Sequence, residues 1–301
     1  MTMKNQCLPT NRQEMCDHGW QEVDFVLVTG DGYVDHPSFG AAVISRVLES
    51  HGYRVGIIAQ PQPDWHTCED FKRFGRPRLG FMVTAGNLDS MVSHYTVNKK
   101  RRKKDVYTPG GAAGKRPDRA TIVYCGKIRE TYKDVPIIIG GIEASLRRFA
   151  HYDYWDDAVR PSILIDSQAD LLLYGMGEKV IKQLTEQLQE GKDIHSIRDI
   201  RGTCYLCTQD EIPAESVSCA SFRKVSENKE SYAKAHQIQN EWQDAVYGKI
   251  IVQKQTDTEY LVQNPPMPTL TREELDEVFK LPFTRTYHPS YEKLGGVDAI
   301  E

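Results

Sequence analysis

Short apolar runs alternate with stretches of helical periodicity through the first 190 residues of the chain. The runs are rich in Val, Ile and Leu, and four of them end at or next to a glycine, which is typical of buried parallel strands. The predicted strands cover residues 24–30, 53–59, 79–84, 136–139 and 170–174. The predicted helices cover residues 39–50, 88–95, 120–131, 142–149 and 178–189. This alternation predicts an α/β fold with a doubly wound, mostly parallel sheet.

The pattern changes after about residue 200. Short strands are predicted at 204–207, 249–253 and 259–263, and a polar helix at 226–245, which together make a smaller α+β segment. The tail after residue 281 has no evident core of its own, so it is a connector or a strap over the first domain. The predicted organisation is a flexible N-terminus (1–20), an α/β domain (21–200), the α+β segment (201–263) and a connector (264–301).

Glycines and polar residues follow the predicted strands at their carboxyl ends. Because ligands of open α/β sheets bind at this edge, we expect a ligand pocket there, for a nucleotide-like or corrinoid molecule. The alternative is that the glycines only close strands and begin loops. The candidate pocket residues are Gly30, Asp31, Asp35, His36, Gly86, Asn87, Gly140, Gly141, Glu143, Gly175 and Gly177.

The densest polar and aromatic stretch, residues 143–156, follows the most apolar predicted strand. Arginines there can bind an anion or the acidic groups of another domain. Tyrosine and tryptophan suit an interface in which the polar end of the side chain stays in contact with water. Ion pairs scattered around a helix are the alternative. The candidate domain-interface residues are Arg147, Arg148, His151, Tyr152, Tyr154 and Trp155.

Composition narrows the class of protein. The chain has 301 residues, a net charge of −4 and 40% hydrophobic residues, as in a globular protein, and no apolar run approaches a membrane span. No secretory signal is visible, so the seven cysteines are expected to be reduced thiols of a cytoplasmic protein. Cys204 and Cys207 are three apart in a predicted strand and point to opposite faces, which favours structural thiols over a metal or redox pair.

Charge is unevenly distributed. Residues 99–129 carry a net charge of +9, and the rest of the chain carries −13. The basic run 99–104 can bind RNA phosphates, but a solvated loop is the favoured interpretation, so nucleic acid is not expected as the main partner. The glycine-rich segment 110–115 is one residue too short for a phosphate-binding loop, and Arg116 stands where Ser or Thr is required.

Six segments resemble the N-terminal portion of the YgiQ family of radical SAM proteins. They are TGDGYVDHPSFG (29–40), VTAGNLDS (83–90), GKRPDRAT (114–121), IGGIEASLRR (139–148), HYDYW (151–155) and HPSY (288–291). The likeness covers residues 20–301. It implies an N-terminal domain with cobalamin-binding-like or Rossmann-like architecture. In this chain, the spacing of Asp35 and His36 differs by one residue from the Asp-x-His-x-x-Gly pattern that supplies an axial histidine to cobalamin.

The resemblance also implies a 4Fe-4S cluster and S-adenosylmethionine for the full-length proteins, with the cluster held by Cys-x-x-x-Cys-x-x-Cys. No three of the seven cysteines have that spacing. We therefore expect no cofactor, catalytic residue or metal ligand on this chain, and we expect the chain alone to be catalytically inactive. The expected partner is a radical SAM barrel, either later in the same gene product or in an adjacent half, and no membrane is involved.

Overall fold

A computed structural model describes residues 6–61 and 67–300 of the protein. Numbered along the chain, the strands are β1 (Phe25–Thr29), β2 (Val34–Asp35), β3 (Val55–Ala59), β4 (Gly80–Thr84), β5 (Ile137–Ile139), β6 (His151–Asp153), β7 (Ala158–Arg160), β8 (Leu171–Leu173), β9 (Thr203–Cys207), β10 (Val217–Ser218), β11 (Ile251–Lys254), β12 (Tyr260–Gln263) and β13 (Thr286–Tyr287). The α-helices are α1 (Arg12–Asp17), α2 (Gly40–Ser50), α3 (Ser90–His94), α4 (Ala120–Thr131), α5 (Gly141–Leu146), α6 (Ile163–Ser167), α7 (Glu178–Gln189), α8 (Phe222–Glu227), α9 (Lys229–Trp242) and α10 (Arg272–Phe279).

Nine strands form one mostly parallel sheet in the order β10-β11-β12-β9-β8-β5-β4-β1-β3. Strand β1 runs parallel to β3 and β4, with Phe25 beside Val55 on one side and Gly80 on the other. The pairs β8–β9, β9–β12 and β12–β11 are antiparallel. The predicted α/β fold is confirmed.

The chain divides into two compact units. Unit 1 comprises the described residues of Met1–Ile137 together with Gly141–Glu143 and Leu270–Glu301, and unit 2 comprises Ile138–Gly140 and Ala144–Thr269. The domain ranges inferred from the sequence stay a prediction. Among the described residues, no helix has the length and apolarity that crossing a membrane requires.

The parallel strands of unit 1 are buried, except that β3 and β4 each end in a half-buried residue. All five residues of β1 are buried, as expected for a strand whose two faces are both covered by helices. Helix α2 buries Val47 and Leu48 in unit 1, and its Ala42 belongs to a separate buried cluster that contains Phe39. The short apolar run at 24–30 therefore contains the interior strand that its composition predicts.

The C-terminal tail packs on unit 1. Strand β13 pairs antiparallel with β2, placing Thr286 beside Asp35. Phe283 and Val297 join a buried cluster that contains Phe39 and other apolar residues of the first unit. The tail therefore holds the loops around β2 in place, and its role as a connector to a further domain stays a prediction.

The predicted polar helix at 226–245 is confirmed as α9, but α9 begins three residues later than predicted, because Asn228 separates it from α8. Asn228 leaves helical geometry, with φ −141° and ψ 116°, and its side chain accepts a hydrogen bond from the backbone N–H of Ser231. Asparagine competes with the helix for backbone groups and so favours a cap. Helix α5 also ends earlier than predicted, at Leu146.

Candidate functional site

The carboxyl ends of β1 and β4 bring several predicted pocket residues together in unit 1. Asp31 follows β1, and its carboxylate accepts a hydrogen bond from the backbone N–H of Asn87, which follows β4 (2.7 Å). Gly86 adopts a φ of +113°, and a Cβ there would lie 2.2 Å from the Asp31 carboxylate. A Cβ on Gly30 would lie 2.2 Å from the carbonyl oxygen of Ala85. The glycines are therefore required for close packing at this edge.

An arginine that the pattern analysis did not single out as a site residue lies at the centre of this edge. Arg116 Nη1 donates to Asp31 Oδ1 (2.7 Å) and to the carbonyl oxygen of Ala85 (3.0 Å). Its Nη2 donates to Asp105 Oδ2 (2.7 Å). Arg116 is only 1% exposed, and both carboxylates are buried. The protein's own guanidinium thus occupies hydrogen-bonding groups that a ligand would otherwise use.

Burial dominates the electrostatics of this cluster. Loss of solvent raises the pKa of Asp31 to about 6, and the positive charge of Arg116 opposes that rise. Burial disfavours the charged form of Arg116, but the two neighbouring carboxylates raise its pKa overall. Arg116 therefore stays charged, and Asp31 depends on it to remain ionised at neutral pH.

Glu143 forms a second buried cluster in unit 1. Its Oε2 accepts hydrogen bonds from the backbone N–H (2.8 Å) and hydroxyl (2.5 Å) of Ser90. Its Oε1 accepts from the backbone N–H of Thr121 in the first turn of α4 (3.0 Å). A carboxylate is stabilised at the positive end of a helix dipole. Glu143 therefore acts as an internal anion that joins α3 and α4.

The remaining predicted glycines lie in different surroundings. Gly141 belongs to unit 1, with a φ of +82°, and a Cβ there would lie 2.4 Å from the hydroxyl oxygen of Thr84. Gly140, Gly175 and Gly177 belong to unit 2. Gly175 has a φ of +74°, and open space surrounds the position of its missing Cβ. The positive φ explains the choice of glycine at 141 and 175 without a ligand.

Asp35 and His36 have local bonding roles. The Asp35 carboxylate is fully buried in an ion pair with Arg46, and it also accepts a hydrogen bond from the backbone N–H of Thr284 (2.9 Å). His36 Nδ1 accepts a hydrogen bond from the backbone N–H of Ser38 (3.1 Å). Burial is the first cause of a lowered pKa at His36. These bonds tie the turn before α2 to the tail.

The predicted interface residues of unit 2 separate into inward and outward groups. Arg148 Nε donates to Gln263 Oε1 (2.6 Å), and its guanidinium lies 5.0 Å from the ring centre of Tyr174. His151 is half-buried, and burial lowers its pKa to about 4. Tyr152 and Tyr154 are exposed. Only the tyrosines of this group present large apolar surface to solvent.

Arg147 and Trp155 are half-buried members of the same predicted group. The backbone N–H of Arg147 donates to the carbonyl of Ala144 at the end of α5. The backbone N–H of Trp155 donates to Asp153 Oδ1 (2.8 Å) in the turn after β6. Their interface role stays a prediction.

The cysteines do not fit an iron–sulfur cluster. Cluster ligands are thiolates that converge on one site. Burial raises the pKa of Cys204 and of Cys219 to about 12, so both are neutral thiols. Within residues 6–61 and 67–300, no group of three or more His, Cys, Asp or Glu side chains is arranged to hold a metal ion. Cys204 and Cys207 are both buried in β9, and their structural role stays a prediction.

Comparison with known proteins identifies the family. A family model described as Radical SAM N-terminal matches residues 7–301. A UPF0313 protein of Clostridium perfringens strain SM101 is 59% identical over 299 residues, which are 99% of this chain and 45% of the relative. A UPF0313 protein of Clostridium botulinum strain Kyoto is 56% identical over 294 residues, 98% of this chain and 45% of the relative. The chain thus spans less than half the length of these curated relatives, and it belongs to the Radical SAM N-terminal family, as its resemblance to YgiQ proteins implied.

Proposed function

We propose that this chain is the non-catalytic N-terminal domain of a radical SAM enzyme, and that the cluster and the radical chemistry belong to a part of the enzyme outside these 301 residues. The main observation behind this proposal is that the cysteines of the chain do not match the chemistry for which its family is named. The family is named for radical SAM chemistry, yet the spacing of the seven cysteines lacks the cluster motif and three of them are buried in unit 2. The relatives provide more than half their length beyond the matched region.

The proposed role is to cover or position the substrate of a radical SAM barrel. Radical intermediates need a site that excludes water and holds the substrate in place. Unit 1 offers a rigid scaffold for this, because the groups at its strand ends are already bonded to one another through Arg116. A scaffold of this kind supplies shape and orientation rather than reacting groups.

A corrinoid or nucleotide module acting alone is the competing hypothesis, and the geometry lends it no support. Asp31 and Asp105, which could bind ligand hydroxyl groups, are both engaged by Arg116. Isothermal titration calorimetry with hydroxocobalamin and with ATP separates the two proposals. We expect no heat of binding from either compound, and saturable one-to-one binding of either would favour the ligand module.

The direct test of the proposal is anaerobic incubation of the 301-residue protein with ferrous iron and sulfide. After desalting, we expect iron and acid-labile sulfide well below one cluster per chain. A variant with Cys204→Ser and Cys207→Ser should hold the same residual amount, because those thiols ligate nothing. About four irons per chain, lost in that variant, would contradict the proposal.

A further inference from the structure

Six consecutive basic residues, 99–104, lie in and directly after a short, hydrogen-bonded turn, and we call residues 95–104 the basic hairpin. Tyr95 and Arg101 form an antiparallel bridge across it. The turn is closed by two bonds, from Lys99 N–H to the Thr96 carbonyl and from Thr96 N–H to the Lys100 carbonyl (2.9 Å each). These bonds make the basic hairpin a built element rather than a free loop.

The acids of the same segment are held by other groups. Asp105 is buried against Arg116. Asp118 lies 2.6 Å from His94 Nδ1 and accepts a hydrogen bond from the Tyr95 hydroxyl (2.8 Å). Neither carboxylate forms an ion pair with a lysine or arginine of the hairpin, so the two acids leave the positive charge of its surface unneutralised.

Five cations on this surface form no ion pair with any residue that the structure describes. Arg102 Nε donates to the carbonyl of Val92, which positions the side chain without neutralising it. Arg101 Nη2 lies 3.3 Å from the Cβ position of Gly114, so the exposed Lys115 that follows is beside the hairpin. By contrast, Lys104 pairs with Asp298 in the tail. The five cations are Lys100, Arg101, Arg102, Lys103 and Lys115.

We propose that the basic hairpin and Lys115 form a binding surface for the phosphodiester backbone of nucleic acid. Lys100 and Arg102 flank the antiparallel bridge at Arg101, and because extended backbone advances about 3.4 Å per residue, two such alternate residues are about 7 Å apart. This spacing suits successive phosphates along a strand. Val97, 81% exposed at the turn, is the one large exposed apolar side chain of the hairpin. That is too little apolar surface for membrane insertion or for a protein hot spot.

Binding by charge alone has a defined salt dependence. Each neutralised phosphate releases condensed counterions, so log K falls with log salt by about 0.7 per phosphate on a single strand. Five contacts predict a slope of about −3.5. Since no exposed aromatic side chain of the hairpin is available for stacking in the described structure, binding should depend little on base sequence.

The test is fluorescence anisotropy of a labelled single-stranded RNA of about 20 nucleotides, with DNA of the same sequence as a second arm. The hairpin variant carries Lys100→Gln, Arg101→Gln, Arg102→Gln and Lys103→Gln. The control carries Arg223→Gln, Lys224→Gln, Lys229→Gln and Lys234→Gln, which removes the same charge from exposed positions of α8 and α9. Circular dichroism verifies that both variants fold.

We expect the intact protein to bind RNA, DNA or both at about 50 mM salt, with the slope given above. The hairpin variant should lose about tenfold or more in affinity and flatten the slope to about −1, while the control stays within about twofold. Equal losses in the two variants, no binding by the intact protein, or stronger binding to phosphatidylserine vesicles would overturn the proposal. The outcome of the iron and sulfide assay that tests the proposed function is independent of every one of these results.

Discussion

Arg116 is the residue on which the strand-end cluster depends most. Replacing it by Met leaves Asp31 and Asp105 buried without their cation, and breaking a buried ion pair in this way costs about 3–5 kcal/mol. We therefore expect Arg116→Met to lower the free energy of urea unfolding by about that amount. The matched control is Arg101→Met on the exposed hairpin, which should cost less than about 1 kcal/mol. Equal effects would contradict the role assigned to Arg116.

His151 gives unit 2 a predictable pH dependence. Burial is the main cause of its lowered pKa of about 4, and the Arg147 charge acts in the same direction. Between pH 4 and the ordinary value of 6.5, the unfolded chain binds more protons at this site than the folded chain. Stability from His151 is therefore lost as pH falls through that window, with no further loss below pH 4. In urea unfolding measured from pH 4 to 7, His151→Asn should remove this part of the slope, and an unchanged slope would refute the assignment.

Individual carboxylates were easier to find in the sequence than their partners. Asp31 and Asp35 are visible as acids after a predicted strand, but Arg116 and Arg46 reach them through the tertiary fold. The pattern of apolar and polar positions predicts that a residue lies at the end of a strand, but it does not predict which distant side chain contacts that residue. The sequence therefore gives no sign of the internal ion pairs at Asp31 and Asp35, and the ligand pocket at this edge stays a prediction.

At the level of elements, the alternation of apolar runs with helical segments was the dependable signal. Helices α4 and α7 have the predicted bounds, and the apolar strands of the parallel sheet differ from prediction by one or two residues. The predicted helix bounds differ from the structure where a single polar side chain begins or ends a helix, as Asn228 does between α8 and α9. A side chain that caps the backbone there competes with continuation of the helix, and composition alone does not show which of the two conformations is more stable.

The C-terminal tail contains a matched pair of phenylalanines four residues apart. Phe283 is 2% exposed in the cluster around Phe39, whereas Phe279 at the end of α10 is 47% exposed. Emptying a buried phenylalanine site costs about 3–5 kcal/mol because contacts are lost and a cavity remains. We expect Phe283→Ala to lose about that much stability in thermal or urea unfolding, and Phe279→Ala to lose less than about 1 kcal/mol. Similar losses would mean that the tail does not pack on unit 1 as described.

At the level of the whole molecule, the fold class and the family were inferred from different observations, and the two inferences agree. The fold class followed from the alternation of strands and helices, and the family followed from six local segments that no physical pattern would have singled out. The cysteine spacing then separates this chain from the chemistry for which its family is named. We therefore propose that the radical reaction belongs to a part of the enzyme outside these 301 residues.

Formation of 5′-deoxyadenosine tests that central claim most directly. The protein would be incubated anaerobically with iron and sulfide, then with S-adenosylmethionine and dithionite, and the nucleoside measured by liquid chromatography. We predict no more product than in a control without protein, because no three of the seven cysteines have the spacing of the cluster motif. More than one 5′-deoxyadenosine per chain, absent when S-adenosylmethionine is omitted, would contradict the account.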